Sequence, residues 1–161
     1  MTTAHREPAS TRGTPRQFYS KAPHIERYLP KLVALLERRW ELLVDLDLAV
    51  TGLICGWLGL ERETRRASAL GIEGKQSEQL LALCQHVGAR RYLSGDSARS
   101  CLDTDLFARH GIAVEWQDYA HPTYPQLHGD FVTNLSIVDP LFNCGPKSLA
   151  ILGRAGAIQR P

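Results

Sequence analysis

Ser77-Glu-Gln-Leu-Leu-Ala-Leu-Cys-Gln-His-Val87, then Arg91-Tyr-Leu93, Ser94-Gly-Asp-Ser97, Thr104-Asp-Leu-Phe-Ala-Arg-His110 and Ile112-Ala-Val-Glu-Trp-Gln117 decide the fold. In the first segment Leu80, Leu81, Leu83, Cys84 and Val87 recur at helical spacing, and Gly88 stands where a helix would stop. Arg91–Leu93 and Ile112–Gln117 read as strands, and Thr104–His110 as a short helix closed by Gly111. Upstream, Thr64–Leu70 reads as a further strand. Strand, helix, strand, helix, strand with short links predicts an α/β fold with a small, parallel, Rossmann-like sheet. Right-handed crossovers would then bring the loops after Leu70, Leu93 and Gln117 to the strands' carboxyl ends, opening on one crevice.

Helices precede this region. Pro23 suits the first turn of a helix carrying Ile25, Tyr28, Leu29, Leu32, Leu35 and Leu36, with Pro30 as a kink or restart. A second helix runs from about Trp40 to Leu58, is apolar on nearly every face and ends at Gly59; such a helix is expected to be covered on most sides. Residues 1–16 carry little to bury and are expected to be a disordered leader, with residues 17–161 forming a single α/β domain.

The chain has 161 residues, 43% hydrophobic, which suits a domain with its own core. A net charge of +2, with no zinc-finger spacing or arginine–aromatic ladder, argues against nucleic acid as a partner. Cys55, Cys84, Cys101 and Cys144 share no CxxC or CxxH spacing, so no disulfide framework and no metal site are expected. The N-terminus has no apolar signal core, and the longest apolar stretch, Leu42–Leu60, is interrupted by Asp45 and Asp47. A cytoplasmic protein without a membrane span is the expectation.

The chemistry is concentrated in His121-Pro-Thr-Tyr-Pro-Gln-Leu-His-Gly129 and the segment after it. Pro122 and Pro125 stiffen a long loop carrying His121, Tyr124, Gln126 and His128, a density of polar rings suited to a ligand. The two histidines could be general acid/base groups, metal ligands, or clasps on backbone carbonyls. Ser136 and Asp139 have capping-box spacing, and Asp139 and Asn143, four apart, share a helix face. Cys144 reads as buried packing before a nucleophile. Gly71-x-x-Gly74-Lys75 offers an anion site or a plain glycine turn, without P-loop spacing. Ser94-Gly95-Asp96-Ser97 offers hydroxyls and backbone donors to an anion, or N-caps.

At these residues the chain resembles the WbqC-like family of bacterial proteins. The shared elements are Lys21-Ala-Pro-His24 with Tyr28-Leu-Pro30, Ser68–Lys75, Tyr92-Leu-Ser-Gly95, Glu115-Trp-Gln-Asp118, His121–Gly129, and Leu141-Phe-Asn-Cys-Gly145. The resemblance runs from about residue 17 onward. It implies a role in O-antigen, lipopolysaccharide or other surface-polysaccharide biosynthesis, since such proteins are often encoded among those genes. Family members open with a segment similar to His-Gln-Pro-x-Tyr-x-Pro-Trp that has no counterpart here, so the chain looks like the C-terminal portion behind an unrelated leader, an incomplete fold. Pro140 stands where a leucine is usual.

The expected function is a group-transfer or sugar-modifying enzyme, a transferase acting on a small-molecule substrate with a nucleotide-linked or acyl-activated donor. His121, His128 and Asp139 are the candidate catalytic residues. Tyr124, Gln126, Asn143, Gly74, Lys75, Ser94 and Gly95 are the candidate substrate-binding residues. The competing readings are a truncated, non-catalytic binding module and a metal-dependent hydrolase. The sequence names no cofactor.

Overall fold

A computed structural model of the chain describes residues 13–153 and 156–159. In chain order the elements are α1 (Gly13–Phe18), α2 (Ile25–Leu36), α3 (Leu43–Leu58), α4 (Gln76–His86), β1 (Arg91–Gly95), α5 (Thr104–Arg109), β2 (Ala113–Tyr119), α6 (Val138–Cys144), α7 (Ser148–Leu152) and β3 (Gly156–Gln159). They fall into two compact units. The first holds residues 13–62 and 121–153, the second residues 63–120 and 156–159. The leader expected over residues 1–16 lies outside the described residues up to residue 12. From Gly13 onward it is the helix α1.

The first unit is helical. Ile25, Tyr28, Leu29 and Ala22 form its core with Leu141 and Phe142 of α6. The four-residue recurrence of α2 aims Ile25, Leu29 and their neighbours at one face, and Pro30 sits within α2 on the exposed side. Tyr28 meets the Trp57 ring edge-on at 5.0 Å, which seats the end of α3. Gly59 closes α3 with φ of 67°, the left-handed cap its position foretold. Among the described residues the covering expected around α3 does not appear: Ile54, Trp57 and Leu58 pack on the α2 core, yet no α3 residue is buried. Leu43, Val44 and Leu48 are exposed because one neighbouring layer covers only one side of a helix. No helix among the described residues is long and apolar enough to cross a membrane.

The second unit is α/β. β1 and β2 are parallel, with Tyr92 opposite Val114 and Ser94 opposite Trp116. Phe107 is fully buried and stacks on Tyr92 at 5.3 Å. Leu81, Cys84, Ile112 and Val114 complete the core under α4 and α5. Asp103 caps α5 by accepting from Leu106 N at 2.9 Å, while its own N–H donates to Ser77 Oγ at 3.0 Å, tying the starts of α5 and α4 together.

Two expectations about the sheet are corrected. Thr64–Leu70 forms no strand. It contains a 3-10 turn at Ala67–Ala69, Glu63 pairs with Arg65 at 2.6 Å on an exposed surface, and only small alanines alternate with polar residues, too little apolar surface to bury as a strand face. The third strand is instead β3, antiparallel to β2, in the order β1-β2-β3. The Gly71–Lys75 turn therefore follows no strand and opens α4.

Candidate functional site

Asp139 organises the first unit's polar interior. It lies in the first turn of α6 and is 4% exposed. The expected capping box does not form: Ile137 is the N-cap, no side chain caps the helix, and Asp139 N–H donates to Ser136 O. The carboxylate turns inward instead. Oδ1 accepts from Tyr19 Oη at 2.8 Å and from Asn143 Nδ2 at 3.2 Å, and Oδ2 accepts from Gln126 Nε2 at 3.3 Å. Helical spacing of four residues puts Asn143 beside Asp139, and its Nδ2 also reaches Asp139 O at 3.0 Å. Ser148, fully buried, fixes α6 from behind, its single O–H shared between Gly145 O at 2.6 Å and Pro140 O at 2.8 Å.

The 121–132 loop closes on this carboxylate. Gln126 donates to Val132 O and accepts from Val132 N, both at 2.9 Å, so its carboxamide acts like a paired backbone group bracing the loop. Tyr124 is buried, its ring edge-on to Phe131 at 5.4 Å, and the half-buried His121 ring lies 5.9 Å from both. The Tyr124 hydroxyl makes no hydrogen bond of ordinary geometry among the described residues, although Asp139 and Gln126 lie close enough to act on its proton. His128 is exposed, and its Nε2 is 2.9 Å from Phe18 O.

The electrostatics follow from burial around one carboxylate. Burial, reinforced by the hydrogen bond to Asp139 and its charge, pushes the Tyr19 phenol well above its ordinary value. Burial, opposed by Gln126 and aided by Asp139, pushes the Tyr124 phenol up to about 12 from 10.0. Burial and the Asp139 charge likewise raise the Cys144 thiol, against a smaller lowering by Lys147. Both phenols are therefore neutral donors at physiological pH, and Cys144 is a packed thiol. A raised folded-state value means that the Tyr124 contribution to stability is complete below pH 10 and is lost as pH climbs towards about 12. Denaturant midpoints should fall over that interval, and Tyr124→Phe should flatten the fall; an unchanged slope in the variant would assign the loss to other groups.

The site residues expected from sequence divide between the units. His121, Tyr124, Gln126, His128, Asp139 and Asn143 lie in the first; Gly74, Lys75, Ser94 and Gly95 lie in the second. In the first, Asp139, Asn143 and Gln126 bond directly with Tyr124 beside them, and His128 is held apart by Phe18. In the second, Lys75 is exposed at the N-cap of α4, and Gly74 has φ of 129°, where a β-carbon would stand 3.1 Å from Gln79 N. Ser94 is buried on the sheet face that carries Tyr92, its hydroxyl 3.4 Å from Gly95 O, and Gly95 leads into a 3-10 turn at Asp96–Ala98. The Arg99 guanidinium pairs with Asp96 and stands over the Trp116 ring at 4.7 Å.

Tyr19 is the member of the Asp139 cluster that the sequence reading did not name. It lies 120 positions from Asp139, outside any motif, and only the fold joins them. Surface depressions of about 540 and 640 Å³ in the second unit and 330 Å³ in the first are lined by other residues, including Trp116, Cys84 and Leu29 respectively. Among the described residues no group of three or more His, Cys, Asp or Glu side chains is placed to hold a metal ion.

Comparison with known proteins places these residues in context. An uncharacterized protein of Mycobacterium tuberculosis, Rv1507c, is 34% identical over 132 residues, which cover 81% of this chain and 57% of the relative. The chain thus spans little more than half the length of that relative. No solved structure matches. The family match spans residues 2–151, so it takes in most of the N-terminal stretch that the sequence reading set apart as an unrelated leader. The carboxylate cluster, the loop closed over it and the Leu141–Gly145 block that carries it all lie within that span, and the chain belongs to the WbqC-like protein family.

Proposed function

We propose that this protein is a group-transfer or sugar-modifying enzyme of bacterial O-antigen and surface-polysaccharide biosynthesis, acting in the cytoplasm with a nucleotide-linked or acyl-activated donor, and that the Asp139 cluster receives the acceptor. The observation that carries the reading is a buried carboxylate with three neutral side-chain donors, bordered by aromatic rings and by the buried hydroxyl of Tyr124. Neutral donors and ring faces suit a polyhydroxylated acceptor better than an anion, which Asp139 would repel. His121 and His128 are the acid/base candidates, and the half-buried His121 ring lies 5.9 Å from the Tyr124 ring on the loop that closes over the cluster. An anion-binding role for Gly74, Lys75, Ser94 and Gly95 remains part of the proposal, supported by the exposed ammonium of Lys75 at the start of α4.

The test is turnover of nucleotide sugars and acyl thioesters with simple sugar acceptors. His121→Ala should lower turnover by about 100-fold or more, the scale of a lost general acid or base, while leaving the thermal midpoint nearly unchanged. Undiminished turnover in a folded His121→Ala protein would remove that residue from the chemistry. Binding of acceptor with no turnover of any donor would favour the non-catalytic module, which the Gln126 brace also fits, since it shows a loop built for shape.

A further inference from the structure

α3 carries an apolar face that its own chain leaves open. Val44, Leu48, Thr51, Gly52, Cys55 and the cap Gly59 recur at three- and four-residue spacing along one side of the helix, opposite the side from which Trp57 meets Tyr28. Val44 and Leu48 are each 44% exposed, Thr51 and Gly52 are exposed, and Cys55 is half-buried. Leu43 and Leu60, at the two ends, are exposed as well.

Two glycines on or beside this face, Gly52 and Gly56, leave notches in it. A glycine inside a helix costs about 1 kcal/mol relative to alanine. Neither glycine has a positive φ, and a β-carbon on either would meet nothing within 4 Å among the described residues. The room they leave is therefore unused inside the chain. Such notches serve the close approach of another helix, whose larger side chains fill them.

Charge selects the helix that fits. From Glu41 to Leu58 the charged residues are Glu41, Asp45 and Asp47, all acidic and all in the N-terminal half. Arg62 is exposed just past the Gly59 cap. A parallel pairing of two copies would set the three acids beside their own duplicates. An antiparallel two-fold pairing centred between Thr51 and Gly52 instead brings Glu41 level with Arg62, Leu43 with Leu60, Val44 with Gly59, and Leu48 with Cys55 beside the Gly56 notch. Val44 and Leu48 then meet small residues, acid meets base, and the two-fold axis repeats every contact.

We propose that α3 is the self-association surface of this protein: two copies pair antiparallel through this face, Leu48 of each seated in the Gly52–Gly56 notch of the other. The occupant is a second copy of the chain, chosen by size and charge complementarity.

The experiment is sedimentation equilibrium of the full chain in reducing buffer, from the low micromolar to the submillimolar range. The expected result is a reversible dimer of twice the 17.9 kDa chain mass. Leu48→Glu should weaken it at least about 100-fold by burying an unpaired carboxylate, while the monomer keeps its circular dichroism. Glu41→Arg and Arg62→Glu should each weaken it about 10-fold, since each change sets like charges together twice, and the double exchange should restore it. A wild-type chain that stays monomeric would overturn the proposal and give the face to a different partner. A dimer that persists in Leu48→Glu would overturn it by placing self-association elsewhere on the molecule. Failure of the double exchange to restore pairing would overturn the antiparallel register. Should Leu48→Glu not fold, the charge exchange decides by itself.

Discussion

Gly145→Ala is expected to destabilise the first unit by on the order of 3 kcal/mol, from left-handed backbone strain of about 1–2 kcal/mol and overpacking of about 1–3 kcal/mol. Gly145 has φ of 58°, and a β-carbon there would stand 2.6–2.7 Å from three atoms of the His24 ring. The ring cannot simply withdraw, because His24 N–H donates to Phe142 O at 3.0 Å and so ties its backbone to the same helix. Urea unfolding followed by Trp57 fluorescence should report the loss, since that indole packs on Tyr28 in the affected core. A midpoint within error of the wild type would mean that His24 and Gly145 are not in the contact described.

Phe107→Ala should cost the second unit about 3–5 kcal/mol, the usual range for emptying a fully buried phenylalanine site. Phe107 has no exposed surface and is the ring on which Tyr92 of β1 stacks. Its removal should raise amide exchange across the β1–β2 pairing from Arg91–Ala113 to Gly95–Gln117. Exchange in α2, whose core is formed by Ile25, Tyr28, Leu29 and α6, should change much less. Equal acceleration in both units would contradict the separation into two cores.

These two positions also show what the sequence made legible. Phe107 lies in a short segment read as a helix closed by Gly111, and β1 and β2 flank it where Arg91–Leu93 and Ile112–Gln117 read as strands. Local signals of that kind survive because each is satisfied within a few residues. Gly145 is different: its need for glycine comes from His24, 121 positions away, and the block Leu141–Gly145 signalled importance without giving the reason.

The errors have the same origin. Thr64–Leu70 had strand-like length, but a strand needs a partner edge, and β2 takes its second neighbour from Gly156–Gln159 instead. The apolar surface of α3 foretold burial, yet coverage is set by how many layers surround a helix, which composition does not state. Ser136 and Asp139 had capping-box spacing, and tertiary donors from Tyr19 and Gln126 outcompeted the local cap. Of the site itself, the loop rings, Gln126, Asp139 and Asn143 were visible as a dense polar stretch with helical spacing. Tyr19 was not, because the carboxylate that gives it a role lies 120 positions away.

The central proposal is that the Asp139 cluster receives the acceptor. Side-chain amide resonances of Gln126 and Asn143, both bonded to the carboxylate, test it directly when followed by ¹H–¹⁵N NMR during titration with simple sugar acceptors. The account predicts saturable shifts of these NH2 signals as the acceptor meets the cluster. Acceptor binding that leaves both pairs of signals unmoved would contradict it.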